Sequence, residues 1–308
     1  MVKALAAVIS ANLALAVSWQ ATEEPAVEPT IEQAAALASS GDTKGAIEAL
    51  RALVEANPKD GAAHNALGSL LNSSGHYAEA LEHVEAAVAL EPKNAKFRYN
   101  RGVVLAEHGR FAEAIRDFNL AIAEHPDLTY AWLERGAAKL SLGNAAGARD
   151  DWRKARESDP KLVWVEWYEA TDDFVEGRFA EAAKGFDRVG DAEPGFVPAQ
   201  LWRIIAHARA GRPIANPIPS GSDWPAPVLE YRLGRISQDQ LISLAKQDKD
   251  SGDRRREAEA LYFLGQFELI AGRPAAAAGF FERALAIPSP RHVWRMSAER
   301  ELAKIRGR

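Results

Sequence analysis

The sequence predicts an all-α solenoid of stacked helical hairpins. Two periodic series and the composition predict it. Pro58, Pro92, Pro126, Pro160 and Pro194 follow one another at steps of 34 residues. Gly41, Gly75, Gly109, Gly143, Gly177 and Gly211 keep the same step. The segments between them are rich in Ala, Leu, Glu and Arg, which favour helix, and β-branched runs are short. A fixed period of this length marks one supersecondary unit repeated, stable by stacking rather than through a single core.

The totals narrow the function. Of 308 residues, 47% are apolar, which suits a folded chain. The formal net charge of −5 argues against a nucleic-acid binder, which carries a basic face. There is no cysteine, hence no disulfide, thiolate metal site or thiol nucleophile.

Residues 1–18 read as a secretory signal peptide. Lys3 precedes an apolar run from Ala4 to Val17, and the small residues Ala14, Ala16 and Ser18 suit a cleavage site. The run is shorter than the roughly 20 apolar residues of a membrane span. The alternative is an uncleaved first helix of a cytosolic protein. Residues 19–29 form an acidic, proline-bearing linker.

The repeat array is expected over 30–211. Small residues Ala46, Ala80, Ala114, Ala148 and Ala182 repeat in phase with bulky Leu50, Val84, Phe118, Trp152 and Phe186. Copies such as "AAHNALGSLLNSSGHYAEALEHVEAAVALEP" (62–92) and "KFRYNRGVVLAEHGRFAEAIRDFNLAIAEHP" (96–126) resemble the tetratricopeptide repeat (TPR). The resemblance implies about five and a half N-terminal repeats of helices A and B, one further repeat near 258–290, and a capping helix. Gly68, Gly102 and Gly136 fall inside helix A, where a missing side chain lets helix B approach. Each proline ends a helix B. Asp173 in the fifth copy and Lys139 one repeat earlier occupy equivalent places, which suggests an ion pair.

In the family, positions 2, 5, 9, 12 and 13 of each repeat face the concave side. Carried over, they place Tyr99, Tyr130, Leu133, Trp164, Trp167 and Phe174 on one aromatic partner-binding groove, the kind of surface that protein hot spots use. The competing expectation is that the chain's own C-terminal helices, or a second subunit, cover it. A carboxylate clamp known in TPR adaptors fits Asn100 but not Asn65, Ser69, Tyr130 or Glu134, so it is rejected.

Between Gly211 and Gly272 the beat breaks, the interval being 61 residues. "RPIANPIPSGSDWPAP" (212–227) has five prolines and reads as a linker. A short helix ending near Gly234 follows, and Ser237 with Gln240 forms a capping-box start. Residues 228–308 form a C-terminal helical unit with one TPR-like repeat and a basic cap carrying Arg291, Arg295, Arg300, Lys304, Arg306 and Arg308. Those cations complement the helix dipole, the alternative being a lipid or nucleic-acid contact. Tyr231, Leu233, Gly234, Ile236 and Ser237, together with "YFLGQFELIAG" (262–272), are similar to the bacterial new lipoprotein I family. That resemblance implies a dimeric periplasmic adaptor that holds cell-wall endopeptidases near a processing protease. Family members are anchored by a lipidated Cys; this chain has none, so a periplasmic protein without a stable membrane anchor is expected.

No nucleophile elbow, H-E-x-x-H or phosphate-binding glycine loop occurs. His76 and His83 lie one in a turn and one on helix B, so no metal site is expected. Asp172 and Asp173 are adjacent and point about 100° apart on a helix. The expectation is a non-enzymatic scaffold without cofactor that binds protein partners, among them a cell-wall hydrolase or periplasmic protease.

Overall fold

A computed structural model describes residues 30–213, 224–247, 254–288 and 293–307. The expected signal peptide, the acidic linker, most of the proline-rich linker, Arg291 and Arg308 lie outside the described residues. Among the described residues there are sixteen helices and no strand. No described helix is long and apolar enough to cross a membrane.

Five helical hairpins come first. They are α1 (Ile31–Ser39) with α2 (Thr43–Ala56), α3 (Gly61–Ser73) with α4 (Tyr77–Leu90), and α5 (Ala95–Glu107) with α6 (Phe111–Glu124). Next come α7 (Thr129–Ser141) with α8 (Ala145–Ser158) and α9 (Val163–Val175) with α10 (Phe179–Ala192). An unpaired α11 (Val197–Arg209) follows, then α12 (Ala226–Arg232), α13 (Gln238–Lys246), the hairpin α14 (Arg255–Ile270) with α15 (Pro274–Ala286), and α16 (Val293–Ile305).

The punctuation in the sequence sets these ends. Every proline of the series stands two residues beyond its helix B, where it has no N–H to continue the ladder. The A-to-B turns need a left-handed residue, and Gly109 supplies it with φ 76°. Asp42, Asp60, Asn94 and Asn144 cap helices through side-chain oxygens that accept backbone N–H bonds. Thr30 with Gln33 and Ser237 with Gln240 form full capping boxes. The linker expected to run through 227 ends earlier, because α12 begins at Ala226. A helix tolerates Pro227 there, in its first turn, where the N–H is unused.

The chain divides into two compact units, through Arg135 and from Gly136 onward, the division falling within α7. In the first, Leu50, Leu67, Leu71, Ala80 and Val84 are almost wholly buried. A Cβ on Gly68 would stand 2.6 Å from Val84 Cγ1 and 2.9 Å from the Ala80 carbonyl oxygen. The backbone oxygen cannot swing away. Gly68→Ala is therefore expected to destabilise by about 1–3 kcal/mol despite alanine's better helix propensity. Gly279→Ala, in α15 with nothing within 4 Å of the new Cβ, is expected to stabilise by up to about 1 kcal/mol. Paired urea titrations check the opposite signs.

The second unit has an aromatic core. Trp152, Phe174, Phe186, Tyr262, Phe263 and Phe281 are fully buried. Its first two hairpins solve the A–B approach differently. Gly136 on α7 admits the Trp152 ring, whereas α9 carries Ala170 and the glycine sits across from it as Gly185 on α10. The glycine has changed helices, which accounts for the poor fit of the fifth copy to the pattern.

Candidate partner-binding faces

In the first unit, α3 carries a polar stripe. Asn65, Ser69 and Asn72 are spaced i, i+4 and i+7, so they share one face of the helix. Asn100 Nδ2 on α5 donates to Asn65 Oδ1 at 2.8 Å, joining neighbouring A helices. Ser69 Oγ and Asn72 Oδ1 are buried without a hydrogen-bond partner. Leaving a buried polar atom so costs about 1–3 kcal/mol. From the sequence, Asn65 takes position 5 of its repeat, on the concave side, and neither it nor Ser69 fits a carboxylate clamp. The i, i+4, i+7 spacing of polar residues on an apolar helix was the signal that would have found the stripe.

Of the expected groove residues in this unit, Tyr99 adjoins Asn100 on α5, and Tyr130 and Leu133 lie on α7. Tyr99 is 4% exposed, its ring 6.0 Å from that of Phe118. Burial first, then the nearby Glu134 and Tyr130, push its phenol well above the usual range. Leu133 is buried and Tyr130 is half-buried.

In the second unit, Phe174 is 1% exposed and wedged between Phe179 at 5.0 Å and Trp202 at 4.9 Å. Trp164 and Trp167 are half-buried and meet Phe196 edge-on at 5.1 and 5.2 Å. Thus Tyr99, Leu133 and Phe174 are core residues of their units, while Tyr130, Trp164 and Trp167 keep some exposure. Aromatic character alone does not separate a core ring from an open one.

Within the second unit the C-terminal helix, α16, packs at the end of α9. Arg300 Nη1 donates to Glu176 Oε1 at 2.6 Å, and this bond holds the Glu176 carboxyl below the usual carboxylate range. Arg209 on α11 donates to Glu301 at 2.9 Å and to Gln266 at 2.6 Å. Arg295 donates to the Leu285 and Ile287 carbonyls, Arg306 to Glu282. Arg300 and Arg306 thus pair with acids of neighbouring helices, while Arg295 and Lys304 also stand near Glu299 and Glu301 of their own helix.

The Lys139–Asp173 pair does not form. Lys139 Nζ meets Asp151 at 2.8 Å within its own hairpin, and Asp173 accepts from Arg178 at 2.7 Å across the next turn. Both partners lie closer along the chain than the neighbouring repeat. Asp172 is 2% exposed and accepts from Arg149 at 2.6 and 2.8 Å. Among the described residues no group of three or more His, Asp or Glu side chains is placed to hold a metal ion.

Comparison with known proteins agrees with this geometry. Family models described as tetratricopeptide repeat match residues 71–129 and 235–291, and 36–99. The chain is built from tetratricopeptide repeats. The second match covers α13 to α15, so the C-terminal hairpin is a TPR as well. A TPR protein from Parabacteroides merdae is 20% identical, with TM-score 0.51, over 88% of this chain and 97% of that one. A thermophilic TPR protein of Thermus thermophilus is 18% identical, with TM-score 0.51, over 57% and 95%. A chain of the APC/C hetero-tetramer Cut9–Hcn1 is 15% identical, with TM-score 0.58, over 97% and 52%. At these identities the likeness speaks for the fold. No curated protein matches the chain. The TPR is generally a non-enzymatic scaffold for protein–protein interaction, and no catalytic family is indicated.

Proposed function

We propose that this TPR protein is an adaptor of the bacterial envelope that binds an extended segment of a protein partner along the α3–α5 face. The observation that carries this is the stripe of Asn65, Ser69 and Asn72 beside Asn100, with two buried oxygens left without partners. A partner's main chain offers the donors and acceptors that such a stripe lacks, and it meets them when Asn65 and Ser69, both half-buried, turn their side chains outward. The periplasmic location is supported by the signal-like residues 1–18. The partner class, a peptidoglycan hydrolase or a periplasmic protease, and a dimeric state are supported by the resemblance of 224–306 to the new lipoprotein I family.

Ser69→Ala removes a hydroxyl that makes no hydrogen bond within the chain and places a better helix former in α3. It is expected to leave the melting temperature unchanged or slightly raised. It is also expected to weaken partner binding about five- to tenfold, the loss of one hydrogen bond of about 1 kcal/mol. The assay is capture from envelope extract with wild-type and variant bait, identification by mass, and titration of the captured protein. A hydrolase or protease held less well by the variant supports the adaptor. Equal capture by both baits removes the face. An eluate of cytosolic proteins alone, with the N-terminal segment retained on the native chain, removes the envelope and favours a cytosolic scaffold.

A further inference from the structure

The polar stripe of α3 ends level with an acid. Asn100 on α5 bonds Asn65 on α3 across a sequence step of 35 residues, which sets the register of the two helices. The same step relates Tyr99 on α5 to Glu134 on α7, and Glu134 acts on the Tyr99 phenol. Residues seven apart lie about two turns along a helix. Two turns on from the Asn65–Asn100 bond, Asn72 therefore stands level with Glu107, the last residue of α5. Asn72 is 4% exposed, and its Oδ1 is buried without a hydrogen-bond partner. Glu107 is half-buried.

The Asn72 oxygen and the Glu107 carboxylate only accept hydrogen bonds. A ligand group between them must donate, and a charged donor bonds most strongly. α3 and α5 both end at this level, and the negative ends of their dipoles favour a cation. The field nearby has the same sign: after burial, Glu134, Tyr130 and Glu107 in that order push the Tyr99 phenol up. The basic groups of the adjoining turn are engaged. Arg110 donates to both Glu113 oxygens at 2.7 Å, and the His108 ring meets Tyr77 edge-on at 4.7 Å. Lys96 is exposed in the first turn of α5, about 16 Å from Glu107 along the helix.

We propose that the partner segment bound on the α3–α5 face carries a basic side chain, lysine or arginine, whose charged group sits between Asn72 Oδ1 and the Glu107 carboxylate. This rests on the adaptor reading and adds a sequence requirement to it. The Asn72 amide turns about its last torsion to present the oxygen, and the donor it gains offsets the cost of leaving that oxygen alone.

The test is selection of short random peptides, displayed as a library, on the purified full chain, followed by titration of an enriched peptide by fluorescence anisotropy. Lysine or arginine is expected at one fixed position of the enriched peptides. Replacing it by glutamine should weaken binding about tenfold or more. Glu107→Gln should weaken the basic peptide equally and the glutamine peptide little, since the two changes remove one contact. Glu107→Lys should select an acidic residue at that position; Glu107→Gln keeps the side chain's shape and carries the test if Glu107→Lys does not fold. Glu48→Gln, at an exposed position on α2, changes the net charge as much as Glu107→Gln does and should leave the preference intact. Enriched peptides without a basic position, or a basic preference that survives Glu107→Gln, overturn the proposal; if those peptides bind Ser69→Ala less well than wild type, the adaptor reading of the face still stands. No enriched peptide, or peptides indifferent to both Ser69→Ala and Glu107→Gln, removes the face and the basic requirement together.

Discussion

Trp202→Ala is expected to destabilise the second unit by about 3–5 kcal/mol. Trp202 on α11 is 5% exposed. Its ring lies 4.9 Å from Phe174 on α9, 5.9 Å from Phe186 on α10, and 5.8 and 5.9 Å from Tyr262 and Phe263 on α14. One side chain therefore fills the space where the fifth repeat, the unpaired helix and the C-terminal TPR meet. Alanine leaves a cavity there, and each lost aromatic pair adds about 0.5–1.5 kcal/mol beyond area burial. For a unit of this size each kcal/mol shifts the melting temperature by about 2–4 °C, so a fall of roughly 6–20 °C is expected in scanning calorimetry. Trp202→Phe should recover more than half of it. A fall below about 2 °C would mean that the C-terminal repeat does not depend on this ring.

Arg209→Ala is the second large effect, and the reason is charge rather than volume. Arg209 links Gln266 and Glu301, which are almost wholly buried. Its guanidinium also lies 4.2 Å over the Phe179 ring. Removing it leaves a buried carboxylate with Lys304, 3.6 Å away, as its remaining ion partner among the described residues, and breaking a buried pair in this way costs about 3–5 kcal/mol. Removing both charges, as Arg209→Met with Glu301→Leu, is expected to cost less than either single change, because no charge is then left buried alone. A double-mutant cycle in guanidinium chloride measures this. If the double variant is the least stable of the set, the network stabilises beyond its charge balance and the expectation is wrong.

Much of this protein was readable before its structure. The turn glycines, the prolines after each helix B, the capping box at Ser237 and Gln240 and the C-terminal repeat all stand where their spacing placed them. The candidate sites were less readable. Phe174 and Trp164 look alike as aromatic positions on one helix, yet Phe174 is sealed by Trp202 and Phe179 while Trp164 rests half-exposed on Phe196. In the sequence, His83 has His76 as its nearest histidine, seven residues away. Its actual neighbour is His64, nineteen residues back on the facing helix.

The difference is one of range. A proline without an N–H, a glycine at positive φ and an Asp before a helix act through the backbone within a few residues, so the sequence by itself determined the helix ends, the hairpins and the count of repeats. Which ring is buried and which charge is neutralised depends on the group that arrives from elsewhere. Glu301 meets Arg209 across 92 residues, and Glu176 meets Arg300 across 124. Those meetings follow the path of α16 back onto α9, and only the tertiary structure decided it, because the 34-residue pattern carries no information beyond the last regular repeat.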